Sequence, residues 1–378
     1  MVIDWIIIFI YLIVVLFIGT YAAKKVSSTS DYFISDRKFG KGMMMLFTFG
    51  TGTNTDQAVT VASKTYTSGA SGIWYQWLWL FATPFYWLLA PLFRRMRAVT
   101  TADYLHKRYG QSVSVLFAVV GIAQLSVNIG VVLKATSAMI EPVSGGSISP
   151  ELAIIAMTIL FVSYGVLGGL NAAIITDALQ GVLTVILSFL ILPFALNAVG
   201  GMEGLRSVID DPSVFKVVAP GEITTLYVIV IAINGLIGWV TSPYSMAMCG
   251  AGKTEHESRI GLVGGMLMKR ICTIAWVLTG LCAIGLYADN TINVDHVYGL
   301  MAHDLLPTIA PGLIGLFIAS MLAAVMSSCD ALMVSASALF TENVYKTLIQ
   351  PGRDEKHYIF VGRLTSIFIV LFGIIIAF

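Results

Sequence analysis

FTFGTGTNTDQ, residues 47–57, lies inside an apolar segment long enough to cross a membrane. Its eleven positions hold two glycines, four threonines, an asparagine, an aspartate and a glutamine. Lipid offers the backbone no hydrogen-bond partners, so a polar, glycine-broken patch at that depth must face protein or a cavity. A helix interrupted there frees carbonyls that attract a cation and N–H groups that attract an anion or a polar solute. The stretch reads as half of an ion and solute site.

Composition agrees with a chain built for lipid. Of 378 residues, 57% are hydrophobic and only 11% are charged, against about 25% charged in a soluble domain. Mean hydropathy is +0.86. Such a chain has too few polar groups to cover a surface in water, which makes it an all-α polytopic membrane protein with the bilayer as its solvent. A net charge of +1 gives no electrostatic footprint for nucleic acid. Cys249, Cys272, Cys282 and Cys329 fall in apolar segments without metal-ligand or disulfide spacing and read as small core residues. The first 23 residues exceed a signal-peptide core and read as a retained span.

Ten candidate spans follow: about 3–23, 42–67, 73–93, 112–140, 151–168, 172–198, 224–249, 259–287, 312–347 and 358–378. Lys and Arg bias sets the orientation. With the N-terminus outside, the inner loops and flanks collect Lys24, Lys25, Arg37, Lys38 and Lys41, then Arg94, Arg95, Arg97, Lys107 and Arg108. Lys253, Arg259, Lys269 and Arg270 follow, then Lys346, Arg353, Lys356 and Arg363. Lys64, Lys134, Arg206 and Lys216 are left over. The outer segments carry acids instead, including Glu203, Asp210, Asp211 and Glu222. Asp289, Asp295, His296, His303 and Asp304 lie on a stretch whose Val297, Leu300, Met301 and Leu305 predict a short surface helix. Its two histidines, His296 and His303, do not make a metal site there; a solvated face accounts for them.

A weak internal symmetry divides the chain into an extra N-terminal helix with its loop (1–40), a first repeat (41–198), an outer loop (199–223) and a second repeat (224–378). Each repeat opens with an interrupted helix, the second broken at Gly235, Gly238 and Ser242-Pro243, since proline removes a helical hydrogen bond. Broken helices at matching places are the mark of an inverted-repeat transporter with its site between the halves. Five spans in the first repeat against four in the second predict that the last helix of the second is missing.

Polar groups inside the spans supply candidate ligands. In AAVMSSCDALMVSAS (323–337), Ala324, Ser327, Ser328 and Ala331 recur at helical spacing on one face, with Asp330 beside Ser327. Two hydroxyls and a backbone carbonyl are hard oxygen donors suited to Na⁺. The bland alternative is hydroxyls bonded to the preceding turn, or small residues at a helix contact. A carboxylate in the span favours function, because charge there is expensive. Asp177, in GGLNAAIITDALQ (168–180), is the second such carboxylate, unless it snorkels to the inner interface. If Asp177 and Asp330 meet, they need a cation, a Lys or Arg, or a shared proton. Asp56 and Gln57 follow the first break, where Asp56 also suits a helix cap. Tyr75 and Gln76 open the next span among tryptophans, a place where aromatics usually form an interfacial belt. Lys64 and Lys134 read as local ion pairs, gate elements or partners of a carboxylate solute.

These two motifs resemble those of the sodium:solute symporter family. GGLNAAIITDALQ is similar to its Gly-Gly-Leu, Thr-Asp, Gln signature, and AAVMSSCDALMVSASALFTENVY to its serine-rich helix ending in an acidic-x-x-Tyr stretch. The resemblance implies a leucine-transporter-type fold of five-helix inverted repeats, preceded by one extra helix. It implies Na⁺ held by the carbonyls of Gly50, Thr53 and Ala324 and the hydroxyls of Ser327 and Ser328. A further site at Asp177 would meet Asp330 and Ala331 where members place serines. For solute, the resemblance implies Asp56, Gln57, Tyr75 and Gln76. It adds Trp239, from a Trp-x-Thr that continues here as Ser242-Pro243. The expectation is Na⁺-coupled symport of a small polar organic solute across the plasma (inner) membrane, with no obligate protein partner. Proton coupling through Asp177 and Asp330, or a transporter-like sensor, are the alternatives. An enzyme is disfavoured, because no nucleophile–base pair, paired-histidine metal motif or phosphate loop is present.

Overall fold

The computed structural model describes residues 2–24, 26–218, 223–288 and 292–378. Lys25, Glu222 and Asp289 lie outside the described residues. Helices account for nearly all of it, and no strand occurs among the described residues, only an isolated bridge between Phe39 and Gly252.

The chain opens with α1 (Val2–Ala23). The interrupted helix follows as α2 (Lys41–Thr51) and α3 (Thr55–Ser68), and an irregular run of short turns leads into α4 (Tyr86–Arg95). Next come α5 (Gln111–Val143) and α6 (Pro150–Phe189). The second interrupted helix is α7 (Thr225–Thr241) and α8 (Ser245–Gly250). The rest comprises α9 (Glu255–Leu286), α10 (Val297–Ile309), α11 (Leu313–Phe340), a π-helical extension over Thr341–Ile349, and α12 (Glu355–Ala377).

Six of the described helices are long and apolar enough to cross a membrane by themselves. The difference from ten spans has a physical cause in each case. Spans 42–67 and 224–249 are broken by Gly52–Asn54 and Ser242–Tyr244, and 73–93 is irregular. Spans 151–168 and 172–198 run together as α6 but are two limbs. Gly169 sits at φ +54°, ψ −146°, open only to glycine. Gln180 Nε2 donates to Tyr164 Oη at 3.2 Å, whereas 16 residues of straight helix would separate them by about 24 Å. The chain therefore folds back at Gly169.

Burial sorts the helices into a core and a lipid-facing ring. α11 is buried around its whole circumference from Phe317 to Leu339, which places its serines and Asp330 inside the protein. It packs on α6 and α5, while α2 and α3 pack on α9. Glycines make the second contact close: a side chain at Gly264 or Gly265 would run into Met45 or Phe49. Ile3, Phe9, Ile13 and Phe17 of α1 and Leu226, Ile233 and Ile237 of α7 face outward, as lipid-facing side chains do.

Polar contacts gather at two ends. At one, Arg94 Nε donates to Gly252 O (2.7 Å), Arg95 pairs with Glu255 (2.6 Å) and Lys38 with Asp31 (3.2 Å). There too Arg363 Nη2 donates to Leu167 O (2.9 Å). At the other, Trp74 Nε1 donates to Val217 O (2.7 Å) and Tyr287 Oη to Asp304 (2.7 Å). The expected surface helix is α10, which buries Val297, Met301 and Leu306. Lys269 and Arg270 correct the basic-residue count: both are buried in the middle of α9 and belong to no flank.

Candidate functional site

The two breaks and α11 meet at one place. α2 ends at Thr51 and α3 starts at Thr55, with Asn54 in extended backbone (φ −109°, ψ 164°). Thr53 N–H turns back to Gly50 O at 3.2 Å. Carbonyls of the last turn of α2 are thereby left for side chains from other helices. Ser328 Oγ of α11 lies 3.2 Å from Gly50 O and 3.3 Å from Thr51 O, and also contacts Asn54 Oδ1. One hydroxyl proton cannot serve three acceptors. The pocket thus holds more oxygen acceptors than donors, which suits a hard cation.

Ser327, one residue earlier, is fully buried and its hydroxyl faces the Asp177 carboxylate. It stands beside Gly50: a Cβ there would lie 2.5 Å from Ser327 Oγ and 3.5 Å from the Asp177 carboxylate. Thr53 and Ala324 are also fully buried, and the hydroxyl of Thr53 is unpartnered. The structure therefore brings Gly50, Thr53, Ser327, Ser328 and Asp177 into one region where α2, α6 and α11 touch.

Asp177 and Asp330 are both fully buried, Asp177 facing the hydroxyls of Ser327 and Thr51 and Asp330 that of Tyr164. Asp177 does not snorkel. The two are near enough for their charges to interact, and among the described residues no Lys or Arg pairs with either. Asp330 points at Gly165 on the first limb of α6. A short polar chain runs beside it: Gln180 Nε2 donates to Tyr11 Oη (3.4 Å) and Tyr164 Oη (3.2 Å). Gln180 is the closing residue of the signature at 168–180 but was given no role, and Tyr11, one of two tyrosines in α1, was not singled out.

A cavity of about 360 Å³ adjoins the first break. Asp56, Gln57 and Trp239 line it, as do Asn54 and Ser242 from the two breaks. The Trp239 ring packs on Tyr86 with centroids 4.7 Å apart. Tyr75 and Gln76 do not line it. The Tyr75 ring lies under the Lys64 ammonium (5.3 Å), and Gln76 offers the cavity's neighbour Arg270 its backbone carbonyl. Sequence reading missed Lys269 and Arg270 as site residues. Lys269 Nζ donates to Gly52 O at 2.6 Å and lies 5.1 Å from the Trp79 ring centroid. The signal was available: Lys269 is ten residues inside the expected span 259–287, about 15 Å deep at helical rise.

Among the described residues no group of His, Cys, Asp and Glu could hold a metal of the zinc or iron kind. The chemistry on offer is hard-oxygen coordination and polar solute binding.

Comparisons with known proteins give the setting. The model of the sodium:solute symporter family matches residues 32–378. The uncharacterized symporter YidK of Escherichia coli is 27% identical over 139 residues, covering 37% of this chain and 24% of that protein. The sodium/glucose cotransporter 2 of Rattus norvegicus is 29% identical over 148 residues, 35% of this chain and 22% of that one. The sodium/proline symporter of Escherichia coli is 25% identical over 158 residues, 39% and 31% of the two chains. The match thus spans less than a third of each of these relatives. A solved Na⁺-coupled sialic acid symporter superposes with a TM-score of 0.86 at 20% identity, covering 99% of this chain and 80% of that one. At that identity the likeness concerns the fold. These relatives are transporters, not enzymes.

Proposed function

We propose that this chain, which belongs to the sodium:solute symporter family, couples inward movement of Na⁺ to uptake of a small polar organic solute. The observation that carries the reading is Ser328 of α11 gripping the broken end of α2 at Gly50 and Thr51. In this reading Na⁺ is cargo, held by the carbonyls of Gly50, Thr53 and Ala324 and the hydroxyls of Ser327 and Ser328. The helices form five-helix inverted repeats of the leucine-transporter type behind one extra N-terminal helix, the second repeat starting near residue 224. The basic end faces the cytoplasm and the N-terminus lies outside the plasma membrane.

Coupling follows from where the oxygens sit. Each ligand belongs to α2, to the break that follows it or to α11, so a cation between them favours states in which the broken helix and α11 touch. Solute in the cavity beside Asp56, Gln57 and Trp239 favours closure over the same break. When α2 and α11 part on the inner side, the oxygens separate and the cation is released. Each ligand shifts the equilibrium only by its differential affinity for the states. One charge moving down 100 mV adds about 2.3 kcal/mol to the driving force.

The test is uptake into proteoliposomes by Ser327→Ala and Ser328→Ala. The Na⁺ half-saturation should rise in both while the protein remains folded; an unchanged value in both removes the assignment.

A second reading rests on Asp177 and Asp330, two buried carboxylates without a basic partner. Such a pair holds a second cation or a proton. With a proton, Asp330→Asn flattens the pH profile of uptake; with a second cation, it lowers the steepness of the Na⁺ dependence.

A further inference from the structure

The cavity beside the first break sorts its unused polar groups by kind. Arg270 is 4% exposed; its Nη1 donates to Gln76 O at 2.7 Å, and its Nε is buried without a partner. Trp239 Nε1 and Ser242 Oγ, also lining the cavity, are buried and unpartnered too. Opposite in chemistry are Asp56 Oδ1 and Gln57 Oε1, acceptors buried without donors. A buried polar atom left unpaired costs about 1–3 kcal/mol. Five at one cavity mark the donors and acceptors that a polar solute would meet on displacing water.

The charges narrow the ligand further. Lys269 donates a hydrogen bond to Gly52 O at 2.6 Å, which commits its ammonium to the first break. Arg270 stays protonated in any protein setting. Among the described residues no carboxylate lies within 4.0 Å of its guanidinium. A buried cation without a carboxylate beside it is costly, and an anion that joins it lowers that cost. Guanidinium matches carboxylate in shape as well as charge. The cavity, at about 360 Å³, belongs to the small end of the ligand-pocket range of about 300–1,000 Å³.

We propose that the solute is a small hydroxylated monocarboxylate, its carboxylate seated on Arg270 with Trp239 and Ser242, its hydroxyls donating to Asp56 and Gln57. The proposal rests on the symport reading for the cavity being a transport site, but not for its chemistry. Lys269 is engaged by Gly52 O, so Arg270, whose Nε has no partner, is the cation that receives the anion.

The experiment is calorimetric titration of the purified protein in Na⁺ with matched acid and neutral probes: galacturonate against galactose, gluconate against sorbitol, lactate against propane-1,2-diol. In at least one pair the acid should bind ten-fold or more tightly than its neutral partner. Arg270→Gln should erase that preference and Arg270→Lys, which keeps charge without the fork, should keep part of it. Folding of each variant is checked by its thermal shift in Na⁺. Equal or weaker binding of the acid in every pair, no binding of any acid, or an unchanged preference in folded Arg270→Gln overturns the proposal. The same titrations in K⁺ report on sodium coupling separately. A preference that persists there without any Na⁺ effect leaves the carboxylate seat standing and removes the coupling.

Discussion

Gly50→Ala separates a cation site from a helix contact, because its two effects have opposite signs. The added Cβ would stand 2.5 Å from Ser327 Oγ, against the 3.4 Å at which ordinary contact begins. The hydroxyl must therefore retreat by about 0.9 Å, the difference between those distances, several times the ~0.2 Å tolerance of a metal–ligand distance. A serine hydroxyl is the end of a short rotatable side chain, so the fold yields at a cost of about 0.5–1.5 kcal/mol. Alanine in place of glycine within α2 returns about 0.8–1.0 kcal/mol of helix propensity. Stability in K⁺ should thus change by less than about 1 kcal/mol, the difference of those two terms. The loss of one well-placed oxygen should raise the Na⁺ half-saturation at least ten-fold, which is about 1.4 kcal/mol. Thermal unfolding in K⁺ measures the first effect, and Na⁺-dependent uptake in proteoliposomes the second. A folded Gly50→Ala protein with the parental Na⁺ half-saturation would refute the reasoning.

Three further outcomes are expected. Gly169→Ala should lower stability by more than about 2 kcal/mol or prevent folding, because a side chain at that φ and ψ is strained and would strike Tyr32; thermal unfolding of the purified variant checks this. Lys269→Met leaves Gly52 O without its donor and should cost about 1–3 kcal/mol, read in the same melt. Asp31, in the basic end's connector, is raised by burial but held below the usual carboxylate range by its bonds to Lys38 and Ser27. Its contribution is present above the unfolded pKa near about 4 and is lost as pH falls through the lowered folded value, so Asp31→Asn should flatten the acid side of the stability profile.

The broken helix, the serine face and the two intramembrane carboxylates were legible because each violates the rule that lipid spans are apolar and continuous. FTFGTGTNTDQ could not be an ordinary span, and Ser327 and Ser328 could be placed on one face by counting alone. Lys269 and Arg270 were misplaced for the opposite reason: basic residues near a span boundary are counted as flank, and only their depth in α9 tells otherwise. Gln180 stood out as part of the signature, but its meeting with Tyr11 and Tyr164 was illegible, since it depends on the reversal at Gly169 and on how α1 lies against α6. Tyr75 and Gln76 follow the break in sequence, yet the short turns after α3 carry them away from the cavity.

The central claim is that an alkali ion sits between Gly50 and the hydroxyls at 327 and 328. Equilibrium binding of radiolabelled Na⁺ to the purified protein, parental and Ser327→Ala/Ser328→Ala, tests it most directly. The account predicts saturable binding that excess K⁺ does not displace and that the double variant loses while remaining folded. Binding that the double variant retains, or that K⁺ displaces as readily as Na⁺, would contradict it.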